Sequence, residues 1–231
     1  MMTLPGLFIT GTDTGVGKTV AGCVLIRGLR ARGCSVLPRK PVESGCARRG
    51  GVLWPADGAR LLEAAGRDEL DRVTPWRFPH ALAPDRAARL AGTPLHLDAL
   101  ASACRPVASD DLVLVEGAGG FYSPLAEGAL NADLAGALGF PLILVAPDRL
   151  GVLNPILLTA EAALRRGLTL AGVVLNDPGE PGPEGMDNAA DLQARLQVPL
   201  LRLGRTHPDR PQPPPDMDAW LEQILNRRSA P

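Results

Sequence analysis

A glycine-rich loop between an apolar strand and a long helix is the feature that most constrains the fold of this chain. The segment LFITGTDTGVGKTVAGCVLIRGLRARG, residues 7–33, presents these three parts in order. The N–H groups of such a loop and of the helix N-terminus converge on one spot and bind phosphate. The sequence therefore predicts a phosphate-binding P-loop, in which Lys18 reaches the β- and γ-phosphates and Thr19 offers a hydroxyl to Mg²⁺.

The loop departs in one place from the usual G-x-x-x-x-G-K-[ST] spacing. Five residues before Gly17 the chain has Thr12, and Gly11 stands one position earlier. The order of strand, glycine turn and helix still favours nucleotide binding over a plain tight turn, because G-K-T follows the strand and opens the helix.

Short apolar runs rich in β-branched residues alternate with helical patterns along the rest of the chain. Strands are predicted at 7–10, 35–37, 112–115, 142–145, 172–175 and 200–203, and helices at 18–32, 57–65, 85–92, 97–103, 154–166, 188–196 and 217–225. The alternation predicts an α/β fold of the P-loop NTPase type, with a mostly parallel sheet and helices on both faces. We expect one domain over residues 1–231, in which 177–185 form a surface loop and 207–231 a Pro-rich link and C-terminal helix.

Composition and charge exclude several classes of function. The formal net charge is −1, charges of both signs are interspersed, and no basic run is interleaved with aromatics, so we expect no nucleic-acid partner. The start of the chain lacks the pattern of a signal peptide and no apolar run could cross a bilayer, so we expect a cytoplasmic protein without a membrane role. The four cysteines show no CxxC spacing, which argues against zinc, a redox pair and disulfides.

Lysine is rare in this chain, and both lysines lie in short motifs that are typical of binding or catalytic sites. Of the 24 basic residues only Lys18 and Lys40 are lysines. Lys40 belongs to RKPVESG, residues 39–45, and the proline after it favours an extended backbone at the end of a strand. Its ammonium is placed to stabilise charge on a substrate, and Ser44 to hydrogen-bond that substrate. A surface lysine in a loop is the alternative.

Acidic residues mark two more candidate positions. Asp57 begins a predicted helix, where the alternative role is that of a helix cap or first-turn acid. Glu116 ends a buried strand in DLVLVEGAGG, residues 111–120, where a carboxylate beside a P-loop holds Mg²⁺ directly or through water. Gly117, Gly119 and Gly120 let the backbone approach a nucleotide closely.

The strand AGVVLND, residues 171–177, ends in Asn176 and Asp177. A side-chain amide at this edge of a parallel sheet is suited to hydrogen-bond the edge of a purine base. An asparagine that only forms a turn is the alternative.

Taken together, GTDTGVGKT, KPVESG, VEGAGG, LGVLN and GLTLAGVVLND resemble the motifs of the dethiobiotin synthetase family, over about residues 7–177. The resemblance implies a homodimeric ligase of biotin biosynthesis. It implies that ATP, with Mg²⁺ as cofactor, drives closure of a ureido ring on 7,8-diaminopelargonate with CO₂, through a carbamate and a carbamic-phosphoric anhydride. All partners apart from the second copy of the chain are then small molecules.

The resemblance also implies roles for individual residues. Lys40 and Lys18 are the implied catalytic residues. The implied metal ligands are Thr19, Asp57 and Glu116, and the residues implied to contact the substrate are Thr14, Lys40, Ser44 and Asn154. The implied nucleotide-binding residues are Gly15, Val16, Gly17, Lys18, Thr19, Val20, Asp57, Glu116, Gly117, Ala118, Gly119, Asn176 and Asp177. Asn154 is expected to meet the substrate carboxylate across the dimer interface.

Two positions depart from the pattern of that family. Gly15 stands where many members carry Glu, and RLGRTH, residues 202–207, replaces a Pro-containing stretch that contacts the base. A relaxed nucleotide preference is the expected consequence.

The main alternative is a regulatory ATPase of the partitioning and division-site class, which shares the sheet and a related loop. Those proteins carry a lysine early in the loop, where this chain has Asp13. A small-molecule kinase is a second alternative, but it requires the strict loop spacing and an Arg-rich lid. The sequence favours the ligase over both.

Overall fold

A central sheet of six parallel strands organises the structure, a computed structural model that describes residues 5–106, 111–206 and 210–226. The strands are β1 (Gly6–Gly11), β2 (Ser35–Arg39), β3 (Val42–Ser44), β4 (Ala47–Arg49), β5 (Val52–Trp54), β6 (Trp76–Phe78), β7 (Asp111–Glu116), β8 (Pro124–Ala126), β9 (Ala129–Leu130), β10 (Leu142–Pro147), β11 (Leu170–Asn176) and β12 (Leu200–Leu203). The helices are α1 (Lys18–Ala31), α2 (Ala56–Ala65), α3 (Leu70–Val73), α4 (Pro84–Leu90), α5 (Leu97–Ala103), α6 (Asn131–Leu138), α7 (Leu153–Arg165), α8 (Asn188–Gln193) and α9 (Met217–Asn226).

The strand order places the ends of β1, β7 and β2 side by side. The order across the sheet is β12-β11-β10-β1-β7-β2, and every neighbouring pair is parallel. All six strands therefore point their carboxyl ends to the same edge, where open α/β sheets bind ligands. β3 with β6, β4 with β5 and β8 with β9 form three two-stranded sheets around this centre.

Helices cover both faces because successive side chains of a strand point to opposite sides. Leu7 and Ile9 pack in one buried cluster with residues of α1, α2 and α9. Phe8 points the other way, into a cluster with residues of α4, α5 and α6. Leu144 packs on a third cluster with residues of α7 and α8. Such near-continuous apolar strands need apolar cover on both sides.

The predicted fold class, an α/β fold with a mostly parallel sheet, is confirmed. All six predicted strands are present, and the seven predicted helices are found with small shifts, the largest at α8, which ends at Gln193 rather than 196. The sequence prediction missed α3, α6 and the six short strands. Elements of two to four residues carry no readable period, and α6 has only eight residues, among which small apolar side chains lie on its exposed as well as its buried side. The limits of the domain, 1–231, stay a prediction, and the predicted link at 207–209 and the tail 227–231 lie outside the described residues.

Among the described residues, no helix is both long and apolar enough to cross a membrane.

Candidate active site

The sheet register brings the ends of β2 and β7 together. Arg39, the last residue of β2, pairs with Val115, so Lys40 directly after β2 lies level with Glu116, the last residue of β7. Ile9 of β1 pairs with Glu116 on the other side, and the P-loop begins two residues later. Three motifs that are distant in the sequence thus meet at one place on the carboxyl edge of the sheet.

The P-loop backbone depends on two glycines with left-handed conformations. Gly15 has φ 77° and Gly17, the residue before α1, has φ 95°. A Cβ atom on Gly17 would lie 2.3 Å from Nδ2 of Asn176, which in turn donates a hydrogen bond to the carbonyl of Val16 at 3.3 Å. The end of β11 therefore packs directly on the loop and leaves no room for a side chain at position 17.

Lys18 is buried and folds back over the loop, where its Nζ donates to the carbonyl of Asp13 at 2.7 Å. Burial lowers the pKa of the Lys18 ammonium to about 8, with a further lowering by Lys40, while Glu116 and Asp13 act in the opposite direction. A desolvated ammonium in this position is a strong partner for phosphate oxygens.

Lys40 is a buried residue, so the alternative of a surface lysine is wrong. Its Nζ lies 2.5 Å from Oε1 of Glu116 and 3.2 Å from Oδ2 of Asp57, and only 5% of the residue is exposed. Burial acts to lower the pKa of the Lys40 ammonium, but Glu116 and Asp57 outweigh it and hold the pKa above its ordinary value. Lys40 therefore carries its positive charge throughout the neutral range.

Asp57 lies in the first turn of α2 but does not cap the helix. No side chain of the residue before the helix caps it either, and the Asp57 carboxylate faces Lys40 instead. Burial acts to raise the pKa of the Asp57 carboxyl, but Lys40, Arg60 and the Thr19 hydroxyl together hold it below its ordinary value. Asp57 is thus ionised at neutral pH and faces into the cleft.

Oxygen atoms with the chemistry of Mg²⁺ ligands meet beside Lys40. The hydroxyl of Thr19 donates to Oε1 of Glu116 at 2.9 Å, and Oε2 of Glu116 is buried without a hydrogen-bond partner among the described residues. Those residues contain no group of three His, Cys, Asp or Glu side chains arranged for a metal ion. Two carboxylates and a hydroxyl nevertheless fit Mg²⁺, which binds through few carboxylates and completes its shell with water and phosphate.

A cleft of about 290 Å³ collects most of the predicted site residues. It is lined by Thr14, Gly15, Gly17, Lys18, Thr19, Val20, Lys40, Val42, Glu43, Ser44, Asp57, Arg60, Glu116, Ala118 and Gly119. Val20 also lines a neighbouring cavity of about 210 Å³ with Asn176, Asp177 and Arg205. The two predicted regions therefore share Val20 in their lining.

Three of the residues implied by the resemblance line neither cavity. The Val16 side chain is buried in the core, and Gly117 is packed so closely that a Cβ would lie 2.9 Å from Oδ1 of Asn131. Asn154 is exposed on α7, apart from the cleft. Only the backbone of Val16 and Gly117 is therefore available to a nucleotide.

Two residues at the site were missed by sequence reasoning. Asn131 is buried and accepts a hydrogen bond from the N–H of Ala118 while its amide donates to the carbonyl of Gly120, so it fixes the glycine turn after β7. Glu43 is buried beside Lys40 and accepts from two backbone N–H groups of α2. A charged residue in the middle of the short strand VES was the available signal for Glu43; nothing in the sequence singled out Asn131.

The sequence of this chain is similar to those of known proteins. A family model described as AAA domain matches residues 5–206. The chain is 46% identical to the ATP-dependent dethiobiotin synthetase BioD of Anaeromyxobacter dehalogenans strain 2CP-1, over 86% of this chain and 89% of that protein. The proteins of the same name from Pseudomonas paraeruginosa and Rhodopirellula baltica are 42% and 39% identical, over 86% and 84% of this chain and 88% and 81% of theirs.

Among solved structures, the chloroplast FtsY of Physcomitrella patens aligns with 97% of this chain and 68% of its own, at a TM-score of 0.47 and 18% identity.

Proposed function

Because the chain belongs to the dethiobiotin synthetase family and is an ATP-dependent enzyme of biotin biosynthesis, we propose that its site closes a ureido ring on 7,8-diaminopelargonate with CO₂. ADP and phosphate are the other products, and two carbon–nitrogen bonds form. The alternative of a regulatory ATPase is not favoured by these relatives. The observation that carries the proposal is the buried contact of Lys40 with Glu116 and Asp57 directly beside the P-loop.

In the proposed mechanism the P-loop holds the ATP phosphates. The backbone N–H groups of residues 15–19 and the N-terminus of α1 face the phosphate position, and Lys18 adds a mobile positive charge to it. Asn176 and Asp177, which line the neighbouring cavity, contact the adenine base in this proposal. Asn176 already donates to Val16, so base binding and loop geometry are linked through one amide.

Thr19, Asp57 and Glu116 are the proposed holders of Mg²⁺. Their fit rests on Oε2 of Glu116, which is buried and has no hydrogen-bond partner in the part of the chain that the structure describes. Mg²⁺ bound there would neutralise charge on the β- and γ-phosphates. Lys40 Nζ contacts both carboxylates, and the negative charge that they present supports a cation beside it in this proposal.

The proposed reaction has three balanced steps. One substrate amine attacks CO₂ and loses a proton to give a carbamate. A carbamate oxygen then attacks the γ-phosphorus and ADP leaves, forming a carbamic-phosphoric anhydride. The second amine attacks the carbonyl carbon, phosphate leaves and the nitrogen loses its proton, which closes the ring.

Charge stabilisation is the proposed contribution of the protein to each step. Each stage concentrates negative charge between the P-loop and the end of β2, where Lys18 and Lys40 both line the cleft. Fixed positive groups in a cleft with little water stabilise such charge strongly. Thr14 and Ser44, which line the same cleft, orient the diamine in this proposal.

The active form in our proposal is a homodimer. Leu150, Leu158 and Leu164, on or beside α7, are 73%, 59% and 74% exposed, and a second copy of the chain would cover apolar side chains of this segment in the proposed dimer. Leu158 also lines a cavity of about 700 Å³ with Thr12 and Asp13 of the P-loop. A dimer through α7 would bring Asn154 of the second copy toward this cavity and the substrate carboxylate. The proposal places the enzyme in the cytoplasm, where ATP is available.

The test is release of phosphate from ATP with each substrate omitted in turn. We expect turnover only when Mg²⁺, bicarbonate and diaminopelargonate are all present. A Lys18→Met protein purified in the same way controls for contaminating phosphatases, because it lacks the phosphate-binding ammonium. Phosphate release by the unaltered protein that needs neither the diamine nor bicarbonate would refute the ligase assignment.

A further inference from the structure

Glu43 connects the strand after Lys40 to the beginning of α2. The carboxylate is buried, with 7% of the residue exposed, and both of its oxygens are used. Oε1 accepts from the N–H of Asp57 at 3.2 Å and Oε2 from the N–H of Gly58 at 3.0 Å. An acid fourteen residues earlier in the chain thus binds two of the N–H groups that a helix leaves free at its N-terminus.

The helix itself supplies no substitute for this contact. The residue before α2 is Pro55, whose side chain cannot accept a hydrogen bond, and the Asp57 carboxylate is directed at Lys40 rather than at the helix backbone. A carboxylate at a helix N-terminus is stabilised by hydrogen bonds and by the helix dipole together.

The first turn of α2 is also fixed from its other side. A Cβ on Gly58 would lie 2.1 Å from Oγ1 of Thr74, so the backbone of α2 approaches this residue without space for a side chain. The turn that carries Asp57 is therefore held between Glu43 and Thr74. Its orientation decides where the Asp57 carboxylate lies relative to Lys40 and Thr19.

We propose that Glu43 is a positioning residue: by binding the backbone N–H groups of Asp57 and Gly58 it holds the Asp57 carboxylate in place for Mg²⁺. Glu43 touches neither nucleotide nor metal in this assignment and acts through α2. The inference rests on the proposed role of Asp57 as a metal ligand.

The test measures how much Mg²⁺ strengthens ADP binding, which reports on the metal ligands and needs no catalysis. The Kd of ADP is measured by calorimetry in excess EDTA and in saturating Mg²⁺, for the unaltered protein and for Glu43→Gln. In Glu43→Gln an amide NH₂ replaces one acceptor oxygen, so the two helix N–H groups cannot both be bound. The strengthening by Mg²⁺ is the Kd of ADP in EDTA divided by its Kd in Mg²⁺. We expect this ratio to fall about tenfold in Glu43→Gln, as for loss of a charged helix cap, while the Kd in EDTA is unchanged.

Two further variants make the result specific. Glu63→Gln removes the same charge at an exposed position near the other end of α2 and should leave both Kd values unchanged. In a double-mutant cycle, Glu43→Gln should have no further effect on the Mg²⁺ strengthening once Asp57 is replaced by Asn. If Glu43→Gln does not fold, Glu43→Asp, which keeps the charge but is too short to bind both N–H groups, takes its place with the same expectation.

The possible outcomes separate this inference from the proposed function. The positioning role is overturned by any of three results. Glu43→Gln keeps the full strengthening of ADP binding by Mg²⁺, or it loses the same factor of ADP affinity in EDTA and in Mg²⁺. The third is that Glu43→Gln reduces the strengthening by the same factor in the Asp57→Asn background as in the unaltered protein. If Mg²⁺ does not strengthen ADP binding to the unaltered protein, the proposed metal site itself is wrong, and the positioning role fails with it.

Discussion

Lys40 Nζ lies 2.5 Å from Oε1 of Glu116, so a buried ion pair joins the residue after β2 to the last residue of the neighbouring strand β7. The pair is 76 residues apart in sequence and adjacent only because β2 and β7 are parallel neighbours in register. Removing one partner of a buried pair leaves the other charge uncompensated, which typically costs about 3–5 kcal/mol of stability. A site built on such a pair is fixed before any ligand arrives.

Replacing Lys40 should separate nucleotide binding from turnover. We expect Lys40→Gln to keep an ATP affinity close to that of the unaltered protein, because Lys18 and the loop backbone carry phosphate binding. Turnover should fall by about two orders of magnitude or more, as when one transition-state donor is lost. Phosphate release and ATP titrations, both run well below the melting temperature, measure the two effects.

Arg48→Gln is the control for Lys40→Gln, since Arg48 is an exposed cation in β4 that does not line the cleft. It should retain normal turnover. Full activity of the Lys40→Gln protein would contradict the role given to that ammonium.

Replacing Lys18 should stabilise the protein at neutral pH. Burial lowers the pKa of Lys18 from its ordinary 10.5 to about 8, so the folded state holds this proton less tightly than the unfolded chain. The cost to stability is complete below pH 8 and disappears as the pH rises from 8 to 10.5, and it amounts to about 3 kcal/mol at most. Lys18→Met should therefore unfold at higher denaturant concentration at pH 7, with a gap that narrows toward pH 10.5.

The same denaturant titrations test whether the Lys18 ammonium destabilises the folded protein. A Lys18→Met protein that is less stable than the unaltered protein at pH 7 would show that the ammonium is net stabilising, contrary to its burial. ATP binding should be weaker in Lys18→Met at every pH. The substitution would then raise stability and lower function at the same position.

Gly17 and Gly15 form a matched pair for testing the contact between the loop and β11. Both have a left-handed backbone, so an alanine costs about 1–2 kcal/mol of conformational strain at either position. At Gly17 the new Cβ also meets Asn176, at 2.3 Å, whereas at Gly15 no atom of residues 5–106, 111–206 or 210–226 lies within 4 Å. Gly17→Ala should therefore weaken ATP binding at least about tenfold more than Gly15→Ala, measured by titration; equal losses would argue that the Asn176 contact has no effect.

A charge on the exposed face of α7 should dissociate the proposed dimer. Leu164→Glu places a carboxylate at a position that is 74% exposed in one copy of the chain and buried in the proposed assembly. We expect a shift from dimer to monomer in sedimentation velocity, together with a loss of turnover because Asn154 of the second copy is withdrawn. Leu90→Glu, on α4 and 50% exposed, is the control and should stay dimeric. An unchanged dimer in Leu164→Glu would place the interface elsewhere.

The sequence predicted those parts of the structure that depend on local pattern. The six sheet strands and the P-loop carry a readable period and a fixed motif, and the parallel order then requires that Lys40 and Glu116 meet at one edge. The contacts that refine the site could not be predicted in this way. The contact of Glu43 with α2 depends on the path of the loops between them, and so does the contact of Asn131 with the glycine turn. The periodicity of residues along the sequence does not predict the path of a loop.

Transfer of oxygen tests the central claim most directly. If a carbamate oxygen attacks the γ-phosphorus, bicarbonate labelled with ¹⁸O must give phosphate that carries one ¹⁸O atom, detected by mass spectrometry after a short reaction with ATP, Mg²⁺ and diaminopelargonate. We predict one labelled oxygen in each phosphate, less the label that bicarbonate exchanges with water. Phosphate without ¹⁸O, released while the bicarbonate is still labelled, would mean that another nucleophile attacks ATP, and the anhydride mechanism would be wrong.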